Sequence, residues 1–136
     1  EKTMNSEILN KAVEFAADHP VFVATASGEG QPHVAAAGHI EMAANKRVII
    51  TEWLCPGTVA NLEDNPAISV VAWDPSTDEG YQLVGHLNQL DTEAVLDGYA
   101  QTEETGEPVP QQERRLDIVV DEILAFHQAP HTDQPV

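Results

Sequence analysis

Residues 53–66, with the sequence WLCPGTVANLEDNP, lie between two short apolar runs at residues 47–51 and 67–73. This order predicts a strand, a tight turn, one short helix and another strand. Gly57 and Thr58 stand where the helix should begin, with Thr58 as its N-cap, and Pro66 ends it by disfavouring a helical conformation at Asn65. The free N–H groups of a helix start can hold an anion, so a phosphate site is one interpretation. An ordinary connecting helix is the other.

The rest of the pattern predicts a single domain over residues 1–136, mainly β with flanking helices. A helix is predicted for residues 6–18, and strands for residues 21–26, 31–39, 47–51, 67–73, 81–90 and 116–126. Residues 92–100 are predicted to be helical, residues 101–112 to be a polar loop, and residues from 128 onward to be an irregular tail. Six short strands with closely spaced turns favour a small β-barrel, which leaves no exposed sheet edge, although a sandwich also satisfies the pattern.

The charge balance limits the partners of the chain. Six basic residues stand against 23 acidic ones, for a net charge of −17, so nucleic acid and anionic membrane surfaces are poor partners. The apolar runs are too short to span a membrane. A single cysteine, Cys55, excludes an internal disulfide and is compatible with a reducing compartment, so we expect a cytoplasmic location. At this length, dimerisation would bury more apolar surface.

The chain contains six histidines, which are its most numerous candidates for metal ligation or ligand contact. His127 and His131 have helical i, i+4 spacing, but they lie in the tail and no third ligand has the usual spacing, so no metal site is expected. His33 and His39 are predicted to share one face of the second strand. Each is interpreted either as a half-buried structural side chain or as a ligand contact.

Other reactive groups lack an accompanying motif. Cys55 stands before the helix, where a thiol can be reactive, but no pattern couples it to a base, and it is equally interpreted as a small apolar turn residue. The chain has no Gly-x-Ser-x-Gly elbow and no Walker loop, so catalytic residues are not assigned. Gly85 lies inside a predicted strand, which indicates a bulge or the close approach of another backbone or of a ligand.

Three segments of the chain resemble the pyridoxamine 5′-phosphate oxidase-like FMN-binding split barrels. They are residues 23–34 (VATASGEGQPHV), residues 58–70 (TVANLEDNPAISV) and residues 80–85 (GYQLVG). The first is a common hairpin, whereas the Thr-x-x-Asn-Leu-x-x-Asn-Pro run and the later Tyr-Gln-Leu-x-Gly are much more specific. The resemblance runs from the first helix to the last strand. It implies a six-stranded Greek-key split β-barrel that forms a homodimer, with FMN in a groove at the dimer interface.

The resemblance also implies where FMN would lie. The phosphate is expected near the helix start, the isoalloxazine ring against the strand before that helix, and further contacts from the second strand and from Gln82 of the partner subunit. The implied cofactor-binding residues are Ala36, Ala37, Thr51, Glu52, Trp53, Leu54, Gly57, Thr58, Asn61 and Gln82.

The chain departs from the family pattern at two places. Many members carry Lys or Arg directly before the Thr of the helix start, where Gly57 stands here, and residues 35–38 are unusually small. The Arg-rich substrate site of a pyridoxamine-phosphate oxidase is absent, so that reaction is not assigned.

The expected function is that of an FMN-binding flavoprotein, an oxidoreductase or electron carrier that uses a small-molecule redox substrate or an electron-transfer partner. One alternative is the same barrel holding haem or another flat ligand near His33, His39 or His86. The other alternative is a cofactor-free dimeric barrel.

Overall fold

The computed structural model describes residues 6–51, 55–101, 108–130 and 133–136, with the backbone alone for residues 92–101 and 108–114. The elements in chain order are α1 (Ser6–Ala17), β1 (Val21–Ala26), β2 (Pro32–Ala37), β3 (His39–Met42), β4 (Arg47–Thr51), α2 (Pro56–Asp64), β5 (Ala67–Asp74), β6 (Glu79–Gln101) and β7 (Pro108–Ala125). The first helix and the strands β1, β4 and β5 confirm the sequence prediction within a residue. No helix in the described part of the chain is long and apolar enough to cross a membrane.

The seven strands form one antiparallel ladder in the order β2-β1-β5-β6-β7-β4-β3. Its two outermost strands, β2 and β3, are consecutive in the chain and are joined by Gly38 alone. A one-residue link cannot cross a flat sheet, because strands lie about 4.8 Å apart and the ladder has six such steps. The sheet must therefore curl until its edges meet, which makes the split barrel.

The break at Gly38 explains why seven strands are observed where six are expected. The predicted strand over residues 31–39 divides into β2 and β3, and the chain bends sharply at the glycine between them. His33 lies on β2 and His39 on β3, at opposite ends of the ladder, so the prediction that they share a face of one strand is wrong.

The core lies inside the curled sheet. Inward residues alternate along β1 and β5, where Val23 pairs with Val70, and both are almost fully buried. Helix α1 adds Leu9 and Val13 to the same core. Helix α2 buries one side, including Leu62, and packs against β1 and β2. This contact positions the candidate site described below.

Residues 92–100 are wrongly predicted as a helix. Their backbone continues β6 and pairs with β7, from Thr92 opposite Arg114 to Ala100 opposite Val109. The local composition allows a helix, but Gly98 weakens it, and pairing with a second strand satisfies the same backbone groups. The polar-loop prediction for residues 101–112 is wrong at both ends: β6 extends to Gln101, and β7 begins at Pro108. Residues 102–107 lie outside the described residues.

The tail is more ordered than its composition predicts. Pro135 forms a β-bridge with Leu124, and the Val136 N–H donates to the Ile123 carbonyl at 3.0 Å. Asp78 holds the preceding segment, because its carboxylate accepts hydrogen bonds from the N–H groups of Gln128 at 2.6 Å and Ala129 at 3.0 Å. These two bonds are the main reason that the pKa of Asp78 lies below its ordinary value.

Gly85 supplies a test of the barrel wall. The β6–β7 register shifts between Val84 and Gly85, and a Cβ at Gly85 would overlap the Val119 carbonyl oxygen. Gly85→Ala should lower the free energy of unfolding by about 1–3 kcal/mol, because the backbone of β7 must move. Urea unfolding followed by circular dichroism measures this change. The control is Gly28→Ala, whose added Cβ would lie 3.7 Å from the Asp64 Cβ. Equal stability of the two variants would contradict the close approach.

Candidate functional site

A polar cavity of about 210 Å³ lies between the β1–β2 turn and the first turn of α2. It exists because α2 packs directly on β1 and β2, at the end where the hairpin turns. Side chains of the turn, of β2 and of α2 meet there without any Lys or Arg among them. The lining residues are Ser27, Gln31, Pro32, His33, Gly57 and Asn61.

His33 and Gly57 form the narrowest part of this site. A Cβ at Gly57 would lie 2.9 Å from His33 Nε2, closer than real Cβ atoms come to a neighbour. His33 Nε2 also lies 3.8 Å from the Cys55 Sγ. The imidazole therefore lies across the start of α2, and it can do so because residue 57 has no side chain.

Helix α2 begins earlier than the sequence predicts. Cys55 is the N-cap, with no side-chain capping hydrogen bond, and Pro56 is the first helical residue, so the prediction of Thr58 as the cap is wrong. Proline suits this position because it needs no N–H partner there. Thr58 and Val59 donate their N–H groups to the Cys55 carbonyl, at 3.0 and 3.3 Å.

These bonds reduce the anion-binding capacity expected of a helix start. Pro56 has no N–H, and the amides of Thr58 and Val59 are already used within the turn. Among the described residues, the N–H of Gly57 is the first-turn donor for which no backbone acceptor is seen. An anion held here needs side-chain donors as well.

Two buried polar atoms at this corner lack a hydrogen-bond partner, namely His33 Nδ1 and Thr58 Oγ1. Thr58 is 1% exposed, so water does not solvate its hydroxyl freely. A buried polar group without a partner costs about 1–3 kcal/mol, and an ion or ligand is a common reason for one. The Gly57 amide and the Asn61 side chain, whose Nδ2 donates to Thr25 Oγ1 at 3.1 Å, line the cavity beside these atoms, whereas Thr58 is not among the lining residues. Neutral donors of this kind are compatible with a phosphate group.

The other predicted cofactor residues are spread around this corner. Ala36 is exposed on β2, whereas Ala37 packs on the core. Thr51 ends β4 and stands opposite His39 in the β3–β4 ladder. Predicted contacts at Glu52, Trp53 and Leu54 lie outside the described residues.

Gln82 stands apart from the corner within one chain. It lies on β6, three strands from β2 in the ladder, which corresponds to about 14 Å along the sheet. Its Nε2 donates to Ser69 Oγ at 2.8 Å. Gln82 and Gly57 therefore do not meet directly within one chain.

The histidines considered for a flat ligand do not converge. His39 faces Glu41 at 3.7 Å, and His86 Nδ1 lies 2.9 Å from an Asp121 carboxylate oxygen. Within the described ranges, no group of three or more His, Cys, Asp or Glu side chains is placed to hold a metal ion. His131 of the spaced pair lies outside the described residues.

Sequence reasoning missed Ser27 and Gln31 as site residues and left His33 undecided. The sequence predicts the hairpin turn that contains them, but local patterns do not show which helix packs against it. Gly57 is the one indication of this packing in the sequence, because a glycine in a helical turn lets a neighbouring side chain approach the backbone closely.

Comparison with known proteins agrees with this architecture. A family model described as pyridoxamine 5′-phosphate oxidase matches residues 8–127. No protein of curated function matches the sequence. HupZ from Group A Streptococcus has a similar structure, with a TM-score of 0.61 and 22% identity over 96% of this chain and 99% of that one.

Two further similar structures are described as FMN-binding. The protein from Syntrophomonas wolfei has a TM-score of 0.57 and 16% identity, over 92% of this chain and 93% of its own. The oxidase-related protein from Nostoc punctiforme has a TM-score of 0.60 and 11% identity, over 93% and 87%. At these identities the structures support the fold, and the family model covers most of the sequence. The chain belongs to the pyridoxamine 5′-phosphate oxidase family.

Proposed function

We propose that this protein is an FMN-binding flavoprotein that acts as an oxidoreductase or electron carrier. The observation that carries the proposal is the donor set at the β2–α2 corner, with two buried polar atoms that lack partners. Family membership and structural similarity to FMN-binding proteins support the same cofactor. When bound, FMN supplies the redox chemistry, while the protein binds it, orients it and excludes solvent.

The phosphate of FMN would be held without a permanent cation. The Gly57 N–H, the Asn61 amide and the His33 imidazole line the cavity, and the Thr58 hydroxyl, buried next to Gly57, would turn towards a bound phosphate. The net charge of −17 works against an anionic ligand at long range. Where Lys and Arg hold a phosphate, added salt lowers the affinity steeply. Here salt would instead screen the repulsion, so the affinity for FMN should not decline steeply with ionic strength.

A second copy of the chain completes the groove in this proposal. Phe22 and Val34 are 40% and 64% exposed, and cross-strand pairing places them on the outer face of β1 and β2. Val71 pairs with both Phe22 and Gln82, so all three belong to this face. An apolar surface of this kind favours contact with another protein. Dimerisation through it would bring Gln82 towards the groove of the partner.

The haem and cofactor-free alternatives remain distinguishable by spectrum. A flavin gives its own visible bands, haem gives a Soret band, and a cofactor-free barrel gives neither. His33, His39 and His86 contact Cys55, Glu41 and Asp121, respectively, and this does not favour an axial haem pair within one subunit.

The phosphate site is tested by comparing FMN with riboflavin, which lacks the phosphate. The purified protein, freed of any bound flavin, should bind FMN more tightly than riboflavin in a fluorescence-quenching titration. His33→Ala and Thr58→Val should each reduce that preference roughly tenfold, since a hydrogen bond to a charged group contributes about 1.5–3 kcal/mol.

The matched control is His86→Ala, because His86 is exposed on β6 and pairs with Asp121. Thr58→Val should leave the free energy of unfolding unchanged or slightly higher, since it removes a buried hydroxyl that has no partner. An unchanged FMN-to-riboflavin ratio in both site variants would refute this phosphate position, and failure of the wild type to bind either flavin would refute the flavoprotein proposal.

The subunit interface is tested by sedimentation velocity. We expect a homodimer at micromolar concentration, with a total buried area above about 1,200 Å². The double variant Phe22→Glu, Val34→Glu should sediment as a monomer, because two charges would be desolvated in the interface. Asn10→Glu adds an acidic charge on the exposed side of α1 and should remain dimeric. A monomeric wild type, or a double variant that stays dimeric, would contradict the proposal.

A further inference from the structure

A second cavity, of about 330 Å³, lies between the β5–β6 hairpin, the end of β7 and the C-terminal tail. Its walls include Trp73, Gln82, Phe126 and Asp133, and most of its lining is apolar. The volume falls at the lower end of the range for small-molecule sites. Nothing in the proposed phosphate site uses these walls, apart from the expected approach of Gln82 to a partner.

Asp78 organises this cavity before any ligand arrives. Its carboxylate accepts the Trp73 Nε1–H at 3.0 Å, which fixes the indole, and it also accepts the N–H groups of Gln128 and Ala129. The Asp78 side chain thus links Trp73 of the β5–β6 hairpin to the C-terminal tail, which forms the opposite side of the cavity. Asp78 adopts a φ of 55°, so the turn presents its carboxylate towards both. Walls fixed in advance reduce the entropy lost on binding.

The aromatic walls select a planar ligand. Trp73 and Phe126 meet edge to face, with ring centroids 6.2 Å apart and planes inclined at 76°. Two rings at this angle form a corner in which a third flat ring can stack on one and meet the edge of the other. An aliphatic molecule of equal size would gain burial but not these ring contacts.

The polar groups of the wall select the charge and the hydrogen bonding of the ligand. Gln82 has its Nε2 occupied by Ser69, so its Oε1 is the part that can accept a hydrogen bond. Asp133 adds a carboxylate to the lining, and the chain carries a net charge of −17. His127 also lines the cavity, but the Asp133 carboxylate and the acidic net charge favour a ligand with N–H donors and a positive charge over an anion.

We propose that this cavity is a binding site for a small aromatic amine, a cation of one or two rings with at least one N–H donor. All of the lining residues belong to one subunit, and Gln82 is the one that also lies on the proposed dimer face. The site is therefore tested on protein freed of flavin.

The probe is tryptamine, followed by saturation-transfer NMR and calorimetry. Two comparators separate the contributions: 2-cyclohexylethylamine has the same charge without an aromatic ring, and indole-3-acetate has the same ring with a negative charge. Tryptamine should bind more tightly than either. Trp73→Leu should weaken tryptamine binding roughly tenfold by removing a ring contact. Asp133→Asn should weaken it about threefold, the size expected for an exposed charge pair.

Phe15→Leu is the matched control, because Phe15 is an aromatic residue of α1 outside the cavity, and it should bind tryptamine like the wild type. Phe126→Leu provides the same test as Trp73→Leu if loss of the Trp73–Asp78 bond prevents folding. Equal affinity for tryptamine and 2-cyclohexylethylamine would overturn the proposal, as would unchanged tryptamine binding in a folded Trp73 or Phe126 variant. These outcomes hold whether or not the protein binds FMN.

Discussion

The single-residue link at Gly38 is the constraint on which the architecture depends. It joins the two outermost strands of a seven-stranded ladder, so the sheet cannot lie flat. Once the sheet is curled, the inward residues of every strand face one another, and they pack to a common core. Helix α2 then has one place to bury Val59 and Leu62, against β1 and β2. The position of the polar corner follows from this packing.

The polar corner combines few charges with several neutral donors. A helix start would normally offer three or four free amides, but Pro56 and the bonds to the Cys55 carbonyl leave Gly57 as the donor of the first turn. The buried atoms of His33 and Thr58 that lack partners are a cost to the ligand-free protein. A bound phosphate would offset that cost. In the proposed phosphate site, local hydrogen bonding would substitute for the Lys or Arg that the family resemblance leads one to expect before Thr58.

Much of the barrel could be predicted from the sequence, because alternation and turn residues report local structure directly. Strands β1, β4 and β5 and helix α1 fall where the pattern places them, and the close approach expected at Gly85 is observed. The bend at Gly38 is not predicted, because the local pattern of residues 31–39 is compatible with one continuous strand and a glycine within a strand does not by itself mark a break. The prediction of a helix for residues 92–100 is wrong because pairing of their backbone with β7 outweighs the helix propensity of the segment. The cavity at His33 depends on tertiary packing between a hairpin and a helix, which no local pattern contains.

The central claim is that the β2–α2 corner holds the phosphate of FMN, and NMR of the flavin-free protein tests it most directly. The Gly57 amide and the His33 ring are each followed as FMN or riboflavin is added. The account predicts that FMN shifts both resonances and that riboflavin leaves them nearly unchanged, because riboflavin carries no phosphate. Equal shifts with the two flavins, or FMN binding that moves neither resonance, would contradict it.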